Sequence, residues 1–331
     1  MEKKQHVLWK KHEYAYPMAG NFVPFLVSYL HEEGGDRPGV LVIPGGGYCF
    51  VASSEAEPVA KRFYKAGYQA FVLTYTVNPL MNAPLGLQPL KDASRAMRLI
   101  RMNGEAFRTI PSQVAVCGFS AGGHLAASLA VHWQDIPDLD EALNAWTNRP
   151  DGAILSYPVI TAGPFAHRGS FQALLGEKPA LEDLEYMSLE KQVGKETPPC
   201  FLWQTATDNA VPVENSYLFA QACRQQGVPY AHHVFTQGQH GLALADDAWL
   251  EGRHGECFTT RQLEMLDEMV EAGRVPGFSA GALAPYFAPP EDAGEAYRAQ
   301  LEKDCRIARV WPDLAIAWLG SLWEAGTEPN R

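Results

Sequence analysis

The sequence lacks any apolar run of the roughly 20 residues that a membrane-spanning helix needs, and it lacks an excess of positive charge. The charged start MEKKQHVLWKK is not followed by the apolar run of a secretory signal peptide. The 27 Lys and Arg residues are outnumbered by 38 Asp and Glu residues, and the formal net charge is -11. We therefore expect a cytoplasmic protein with no membrane and no nucleic acid as partner, since phosphate backbones are bound by basic faces.

Paired cysteines are also missing, because no CxxC motif occurs in the 331 residues. Neither an internal repeat nor a low-complexity tract is present. The content of 47% hydrophobic and 20% charged residues is typical of a folded protein with a large core. Buried free thiols in a reducing compartment are favoured over a disulfide framework for the six scattered cysteines, Cys49, Cys117, Cys200, Cys223, Cys257 and Cys305.

What the sequence does contain is a regular alternation of short apolar runs with helical patterns. The first part predicts an antiparallel start with strands at Val7–Tyr14 and Phe25–His31. The later predicted strands are Val40–Ile43, Ala70–Tyr75, Val114–Cys117, Ala153–Tyr157, Cys200–Ala206 and Tyr230–Phe235, and the helices between them are Glu55–Ala66, Pro89–Met102, Ser120–Trp133 and Pro212–Gln226. This alternation predicts an α/β fold with a mainly parallel, doubly wound sheet and helices on both faces. Ligands bind such sheets beyond the carboxyl ends of the strands.

Two segments are too long to be simple connections in this alternation. Residues 158–199 start with turn-forming residues and contain a helical pattern at Leu181–Lys191, and we interpret them as a candidate cap over the site. Residues 246–309 form an insertion with helical patterns at Thr260–Ala272 and Gly294–Ile307, ahead of a last amphipathic helix at Trp311–Trp323. The chain 1–331 is thus predicted to be one α/β domain with a cap and a late insertion.

The sharpest local signal is the sequence VAVCGFSAGGH, in which an apolar strand runs through Gly-x-Ser-x-Gly into a helical pattern. This context is typical of a nucleophile elbow, a tight turn from which a serine projects. Glycine is needed at Gly118 and Gly122, because side chains there would collide with neighbouring backbone. Ser120 is the predicted nucleophile, and the N–H of Ala121 at the helix N-terminus is a predicted oxyanion donor. The alternative is a glycine-rich turn that only packs closely.

A serine hydroxyl needs a base to take its proton. In this fold an acid and then a histidine follow the serine along the chain. Asp208 comes directly after a predicted strand, and His240 follows the next one in a glycine-flanked loop. We therefore predict a triad of Ser120, Asp208 and His240. Taken alone, Asp208 is equally well a turn or capping carboxylate, and His240 is equally well a surface histidine.

Other polar residues near these motifs are interpreted as structural. His232 and His233 lie inside a predicted strand, and His124 lies one turn into the elbow helix, where it is predicted to point away from the site. Asp246 and Asp247 come after the histidine, in the wrong order for the triad acid.

The loop PGGGY follows the first parallel strand and contains three consecutive glycines. Without side chains in the way, its backbone N–H groups can approach a ligand closely. In this fold such a loop completes the oxyanion hole, and we assign Gly46 and Gly47 as donors beside Ala121, with Gly45 shaping the turn. A phosphate loop is excluded because no Gly-Lys-Ser/Thr follows and the dinucleotide spacing is absent. A purely structural turn remains an alternative.

Three stretches, VLVIPGGGY, VCGFSAGGHLAASLA and TPPCFLWQTATDNAVPVENS with the later GQHG, resemble the esterase branch of the α/β-hydrolase superfamily. That branch includes hormone-sensitive-lipase-like enzymes and bacterial acetyl xylan and feruloyl esterases. The resemblance covers residues 38–241 and the final helix. It implies a serine triad, no metal or other cofactor, and removal of short acyl groups such as acetyl groups from plant polysaccharides. Many of these relatives begin the loop with His-Gly-Gly-Gly, whereas Pro44 stands here, so the imidazole that braces the loop is missing.

We therefore expect a serine esterase for short-chain esters, acetyl esters of carbohydrates above all. Its partner would be a small-molecule ester, such as an acetylated oligosaccharide that the cell has imported. The alternatives are a general carboxylesterase, a lipase, a formamidase, or a non-catalytic binding module on the same scaffold. A propeller-bearing peptidase is disfavoured because no repeat of blade length occurs. The oligomeric state is not predicted, although the insertion is a candidate interface.

Overall fold

The structure, a computed structural model, describes residues 1–10, 12–14, 16, 22–288 and 294–325. Within this part of the chain, eight strands form one sheet. The strands are β1 (Glu2–Val7), β2 (Phe25–Leu30), β3 (Arg37–Ile43), β4 (Gln69–Thr74), β5 (Thr109–Phe119), β6 (Gly152–Ser156), β7 (Cys200–Thr205) and β8 (Tyr230–Phe235).

The strand order across the sheet is β1-β2-β4-β3-β5-β6-β7-β8. β2 is antiparallel to both of its neighbours, β1 and β4, whereas the other neighbouring pairs are parallel. This confirms the predicted mainly parallel sheet with an antiparallel start. It also places the carboxyl ends of β3 and β5 to β8 at one edge.

The prediction for the first strand was wrong. The expected strand was Val7–Tyr14, whereas β1 ends at Val7. Leu8 and Trp9 then turn into the core, where Trp9 Nε1 donates a hydrogen bond to Asp92 Oδ1 at 2.7 Å. β1 is an edge strand with exposed side chains, so it carries none of the apolar alternation by which strands are recognised.

Helices cover both faces of the sheet. The α-helices of the described chain are α1 (Glu57–Lys65), α2 (Gln88–Met102), α3 (Gly104–Phe107), α4 (Ser120–His132), α5 (Glu141–Asn144), α6 (Arg168–Leu175), α7 (Leu181–Tyr186), α8 (Glu214–Gln226), α9 (Asp247–Leu250), α10 (Thr260–Glu271), α11 (Ala284–Phe287), α12 (Gly294–Ala308) and α13 (Trp311–Ala325). Short 3-10 turns lie at Ser53–Glu55, Trp133–Asp135 and Leu189–Lys191.

β5 illustrates why the strands are continuous apolar runs in the sequence. Val114 and Val116 pack into one core with α2, α4 and α8. Ala115 and Cys117 pack into a second core with α1 and α13 on the other face. A strand that is buried on both faces has no polar side to alternate with, and this confirms the predicted helices on both faces.

The two long segments have helices of their own. In residues 158–199, the predicted helix at Leu181–Lys191 is shorter than expected, because α7 ends at Tyr186 and only a 3-10 turn follows. In residues 246–309, α10 agrees with the predicted Thr260–Ala272 and α12 with the predicted Gly294–Ile307. Residues 289–293 of that insertion lie outside the described residues.

Two expectations from composition can also be compared with the structure. All six cysteines are free, and five are buried as predicted, whereas Cys257 is exposed. None of the helices in the described ranges has both the length and the apolar character needed to cross a membrane.

Trp311, at the start of α13, ties the late segment to the sheet. Its side chain is fully buried and stacks on Trp203 of β7, with ring centroids 5.1 Å apart. Its Nε1 donates a hydrogen bond to the carbonyl oxygen of Ala243 at 2.7 Å. The loop after β8 is therefore held by the last helix.

Replacing Trp311 with alanine is expected to lower the free energy of unfolding by about 3–5 kcal/mol, because a buried indole and its hydrogen bond are lost. Urea denaturation measures this change. The control is Trp146→Ala, since the Trp146 side chain is 37% exposed and a surface change costs about 0.5 kcal/mol or less. A loss at Trp311 no larger than that at Trp146 would contradict the anchoring role of α13.

Candidate active site

Ser120 lies at the junction of β5 and α4, where the elbow pattern predicts it. β5 ends at Phe119 and α4 begins at Ser120. The φ angle of Ser120 is 52°, in the left-handed region that residues with a side chain rarely adopt. Its carbonyl oxygen accepts a hydrogen bond from the N–H of Val159 at 3.1 Å, which helps to hold the strained turn.

The two glycines of the elbow are required by close backbone contacts. A Cβ at Gly118 would lie 2.2 Å from the carbonyl oxygen of Gly122. A Cβ at Gly122 would lie 2.1 Å from the carbonyl oxygen of Ile43 and 2.3 Å from that of Pro44. Because Ile43 ends β3 and Pro44 begins the glycine loop, the first turn of α4 packs directly against the start of that loop.

Asp208 and His240 reach Ser120 from the ends of two neighbouring strands, β7 and β8. His240 Nε2 lies 2.8 Å from Ser120 Oγ, and His240 Nδ1 lies 2.8 Å from Asp208 Oδ2. Asp208 Oδ1 accepts hydrogen bonds from the N–H groups of Ala210 at 3.0 Å and Val211 at 2.9 Å. A carboxylate only accepts hydrogen bonds, so in the neutral imidazole the proton lies on Nδ1 and Nε2 is an acceptor for the Ser120 hydroxyl.

The loop that carries His240 is fixed to the end of β7. Thr205 Oγ1 donates a hydrogen bond to the carbonyl oxygen of Gly238 at 2.7 Å, and Thr207 Oγ1 accepts one from the N–H of Gly238 at 2.9 Å. The N–H of His240 donates to Asn209 Oδ1 at 3.1 Å. These contacts hold the imidazole in place through its backbone as well as through Asp208.

The glycine loop presents free backbone donors. The φ angles of Gly46 and Gly47 are 117° and 64°, and a Cβ at Gly46 would lie 2.2 Å from the carbonyl oxygen of Phe50. No hydrogen bond within the described ranges uses the N–H of Gly46 or Gly47. The N–H of Ala121 belongs to the first turn of α4, where helices offer no intrahelical acceptor.

A cavity of about 600 Å³ opens beside Ser120. It contains the sequence-predicted Ser120, His240, Gly46 and Gly47 together with residues that sequence reasoning missed. The missed residues of its lining are Cys49, Phe50, Ala52, Ser53, Ser54, Glu55, His167, Gly241, His254 and Tyr286. Most of them come from loops and from the two long segments, where no repeating pattern marks a residue as facing a cavity.

His124 lies behind the glycine loop instead of in this cavity. Its Nδ1 is 2.8 Å from the hydroxyl of Tyr48, the last residue of PGGGY, and its Nε2 is 3.0 Å from the carbonyl oxygen of Met187. Burial lowers the pKa of His124 to about 4, so the ring is neutral near neutral pH. The prediction that His124 points away from the cavity agrees with this placement, but its contact with the loop was not foreseen.

The chain is similar to known proteins in both sequence and fold. The family model BD-FAE matches residues 28–223. A protein named Endo-1,4-beta-xylanase B from Butyrivibrio fibrisolvens is 48% identical over 255 residues, which are 77% of this chain and 40% of that protein. A protein named Acetylxylan esterase from Xylanibacter ruminicola is 27% identical over 228 residues, 66% of this chain and 44% of that protein. The chain thus spans about two fifths of the length of these curated relatives.

Among solved structures, the crystal structure of an acetyl ester-xyloside bifunctional hydrolase from Caldicellulosiruptor lactoaceticus aligns with a TM-score of 0.70 and 38% identity. The alignment covers 82% of this chain and 97% of that one. Fold and comparisons together define the class, a protein with the α/β-hydrolase fold. The chain belongs to the BD-FAE family, whose model covers more than half of it.

Replacing Gly122 with alanine is expected to lower the free energy of unfolding by about 3 kcal/mol, at the upper end for overpacking, because the new Cβ meets two backbone carbonyl groups. Thermal denaturation measures the change.

The matched control is Gly320→Ala, also inside a helix, where a Cβ meets no heavy atom within 4 Å. It should raise stability by up to about 1 kcal/mol through helix propensity. A Gly122→Ala protein as stable as the control variant would show that the elbow tolerates a side chain.

Proposed function

We propose that this chain is a serine esterase that removes short acyl groups, acetyl groups in particular, from carbohydrate esters. The observation that supports this most directly is the pair of 2.8 Å contacts that joins Asp208, His240 and Ser120 in series. A serine hydroxyl becomes a competent nucleophile when a neighbouring base accepts its proton. The series supplies both that base and the group that orients it.

In the proposed reaction, His240 Nε2 takes the proton of Ser120 as Oγ attacks the ester carbonyl carbon. Asp208 accepts the hydrogen bond from Nδ1, which keeps the imidazole oriented and stabilises its protonated form. His240 then gives the proton to the leaving alcohol, while the acyl group remains on Ser120. A water molecule, deprotonated by the same imidazole, releases the acid and restores the hydroxyl. Activity should rise with pH as the free imidazole forms.

The N–H groups of Gly46, Gly47 and Ala121 are the proposed donors to the oxyanion of the tetrahedral intermediate. They have no acceptor in the described protein, and the first turn of α4 adds the partial positive charge of a helix N-terminus. Donors that are already aimed at developing charge need no reorganisation during the reaction.

The carbohydrate part of the proposal rests on the cavity lining and on the names of the relatives. Phe50 and Tyr286 contribute aromatic rings to the lining, and Ser53, Ser54 and His167 contribute polar groups, a combination that suits a sugar ring. His167 Nδ1 accepts a hydrogen bond from the N–H of Ser170 at 3.3 Å. The neutral ring therefore carries its proton on Nε2, and that nitrogen is a hydrogen-bond donor. Relatives are named acetylxylan esterase and acetyl ester-xyloside hydrolase, and we propose acetylated xylo-oligosaccharides as the substrate class.

We also propose that the chain is one domain in which residues 158–199 form a cap and residues 246–309 an insertion. His167 of the first segment, and His254 and Tyr286 of the second, line the cavity beside Ser120. Both segments would then shape the choice of substrate.

Replacing Ser120 with alanine is expected to lower kcat by up to ~10⁶-fold, and Asp208→Asn by about 10⁴-fold because the tautomer is lost. Both values are measured with 4-nitrophenyl acetate. A fluorophosphonate that labels the wild-type protein should not label Ser120→Ala.

The control is Ser128→Ala in the same helix, since Ser128 is buried and its Oγ has no partner in the described ranges. This variant should keep the wild-type kcat. Ester hydrolysis by Ser120→Ala at the wild-type rate would refute the assignment, and an inert wild-type protein would favour a binding module.

Preference for short acyl groups and for carbohydrate alcohols is tested with two substrate series. The value of kcat/KM should fall from 4-nitrophenyl acetate through butyrate to octanoate. Acetate release from acetylated xylo-oligosaccharides should have a higher kcat/KM than release from simple alkyl acetates. Highest activity on octanoate would indicate a lipase, and hydrolysis of formamides without acetate release would indicate a formamidase.

A further inference from the structure

Glu55 is a buried acid in the cavity wall that the mechanism above does not use. Its side chain is enclosed, with the residue only 4% exposed. Both carboxylate oxygens accept hydrogen bonds: Oε2 from the N–H of Gly45 at 2.7 Å, and Oε1 from the hydroxyl of Tyr157 at 2.7 Å. Donors on both oxygens are the surroundings of an ionised carboxylate.

Tyr157 extends this contact to the loop that carries His240. Its Oη accepts a hydrogen bond from the N–H of Ala243 at 3.0 Å, so its own proton is free to point at Glu55. Its ring packs edge-on against the imidazole of His240, with centroids 4.9 Å apart and an interplanar angle of 69°. One carboxylate therefore connects the glycine loop with the histidine loop.

The start of the glycine loop has few other hydrogen-bonding groups that could hold it in place. Pro44 has no N–H and no polar side chain, and its carbonyl oxygen accepts the hydroxyl of Tyr75 at 2.8 Å. A Cβ at Gly45 would lie 2.7 Å from the carbonyl oxygen of Phe119 and 2.9 Å from Glu55 Oε2. The N–H of Gly45 is thus the first donor of the loop, and Glu55 is its acceptor.

In the part of the chain that the structure describes, five titratable groups lie around the imidazole of His240. Asp208 bonds to it directly, Tyr157 contacts its ring, and Glu55, His167 and His254 line the same cavity. Burial raises the pKa of Glu55 above its ordinary value, and the hydrogen bonds from Tyr157 and Gly45 and the proximity of His240 offset only part of that rise. Burial lowers the pKa of His167. Among the described residues, Glu55 and Asp208 are therefore the acids placed to balance a positive charge on His240.

We propose that Glu55 is a positioning residue for this reaction. It fixes the position of the glycine loop relative to the loop that carries His240. It also supplies a second negative charge, after that of Asp208, near protonated His240. The inference rests on the proposed esterase function. Oxyanion and imidazolium exist together in the tetrahedral intermediate and the transition states that flank it, and not in the bound ground state, so Glu55 should act on kcat more than on KM.

The test is Glu55→Gln, which keeps size and shape but removes the charge and places an NH₂ group against one of the two existing donors. We expect kcat for 4-nitrophenyl acetate to fall about 10–100-fold, less than the loss from deleting an oxyanion donor, with little change in KM. The acid limb of the pH–kcat/KM curve should move to lower pH, because removing a negative charge makes protonated His240 less favourable.

Two further variants distinguish a positioning role of Glu55 from a general contribution of buried acids to stability. Tyr157→Phe breaks the link but keeps the carboxylate, so kcat should fall while the acid limb does not move to lower pH. Asp92→Asn alters another fully buried acid, one that bonds to Thr76, Trp9 and Gln88 away from the cavity. It should reduce thermal stability and leave both kcat and the pH curve unchanged.

The proposal is overturned if Glu55→Gln keeps the wild-type kcat, or if kcat falls but the acid limb stays in place as for a purely structural residue. If Glu55→Gln does not fold, Tyr157→Phe decides, and a wild-type kcat in that variant overturns the proposal. Wild type and Ser120→Ala are assayed alongside. If the wild type and Ser120→Ala had the same kcat, the esterase function itself would be refuted. If the wild type is active and Glu55→Gln has the same kcat as the wild type, only the role of Glu55 is refuted.

Discussion

The contact on which the site depends is the approach of Gly122 to the carbonyl oxygens of Ile43 and Pro44. With no Cβ in between, the first turn of α4 meets the end of β3 backbone to backbone. The separation between Ser120 and the N–H groups of the glycine loop is then set by the sheet instead of by flexible side chains. Such rigidity is what electrostatic stabilisation of an oxyanion requires, because the donors must be in place before charge develops.

This packing buries irregular backbone at the edge of the sheet, where each unpaired polar group costs about 1–3 kcal/mol. Side chains satisfy these groups. Tyr75 donates to the carbonyl of Pro44, Glu55 accepts the N–H of Gly45, and Asp208 accepts two N–H groups of its own turn. Asp208 uses one oxygen for its turn and the other for His240. A single acid thus holds its own turn and contacts the imidazole of His240, and Glu55 similarly bonds to Gly45 with one oxygen and to Tyr157 with the other.

The parallel sheet and the positions of Ser120, Asp208 and His240 could be predicted because each depends on local patterns and on chain order. β1 could not be placed correctly, since an exposed edge strand has no apolar alternation. No sequence pattern marked Glu55 as a residue of the site. Its partners are a backbone N–H and a tyrosine 102 residues away, and nothing in the sequence distinguishes it from a solvated glutamate in the first turn of a predicted helix. The cavity lining was missed for the same reason, because it is assembled from separate loops.

The last described helix, α13, packs back against the sheet and has a physical role there. Ala243, shortly after His240, has a φ angle of 47°, which is unfavourable for a residue with a side chain. Its N–H is bound by Tyr157 and its carbonyl oxygen by Trp311, so two aromatic residues from different elements hold it in that conformation. If either contact were absent, the strained backbone could relax, and His240 would move with it. The position of His240 therefore depends on α13 as well as on β8, which ends at Phe235.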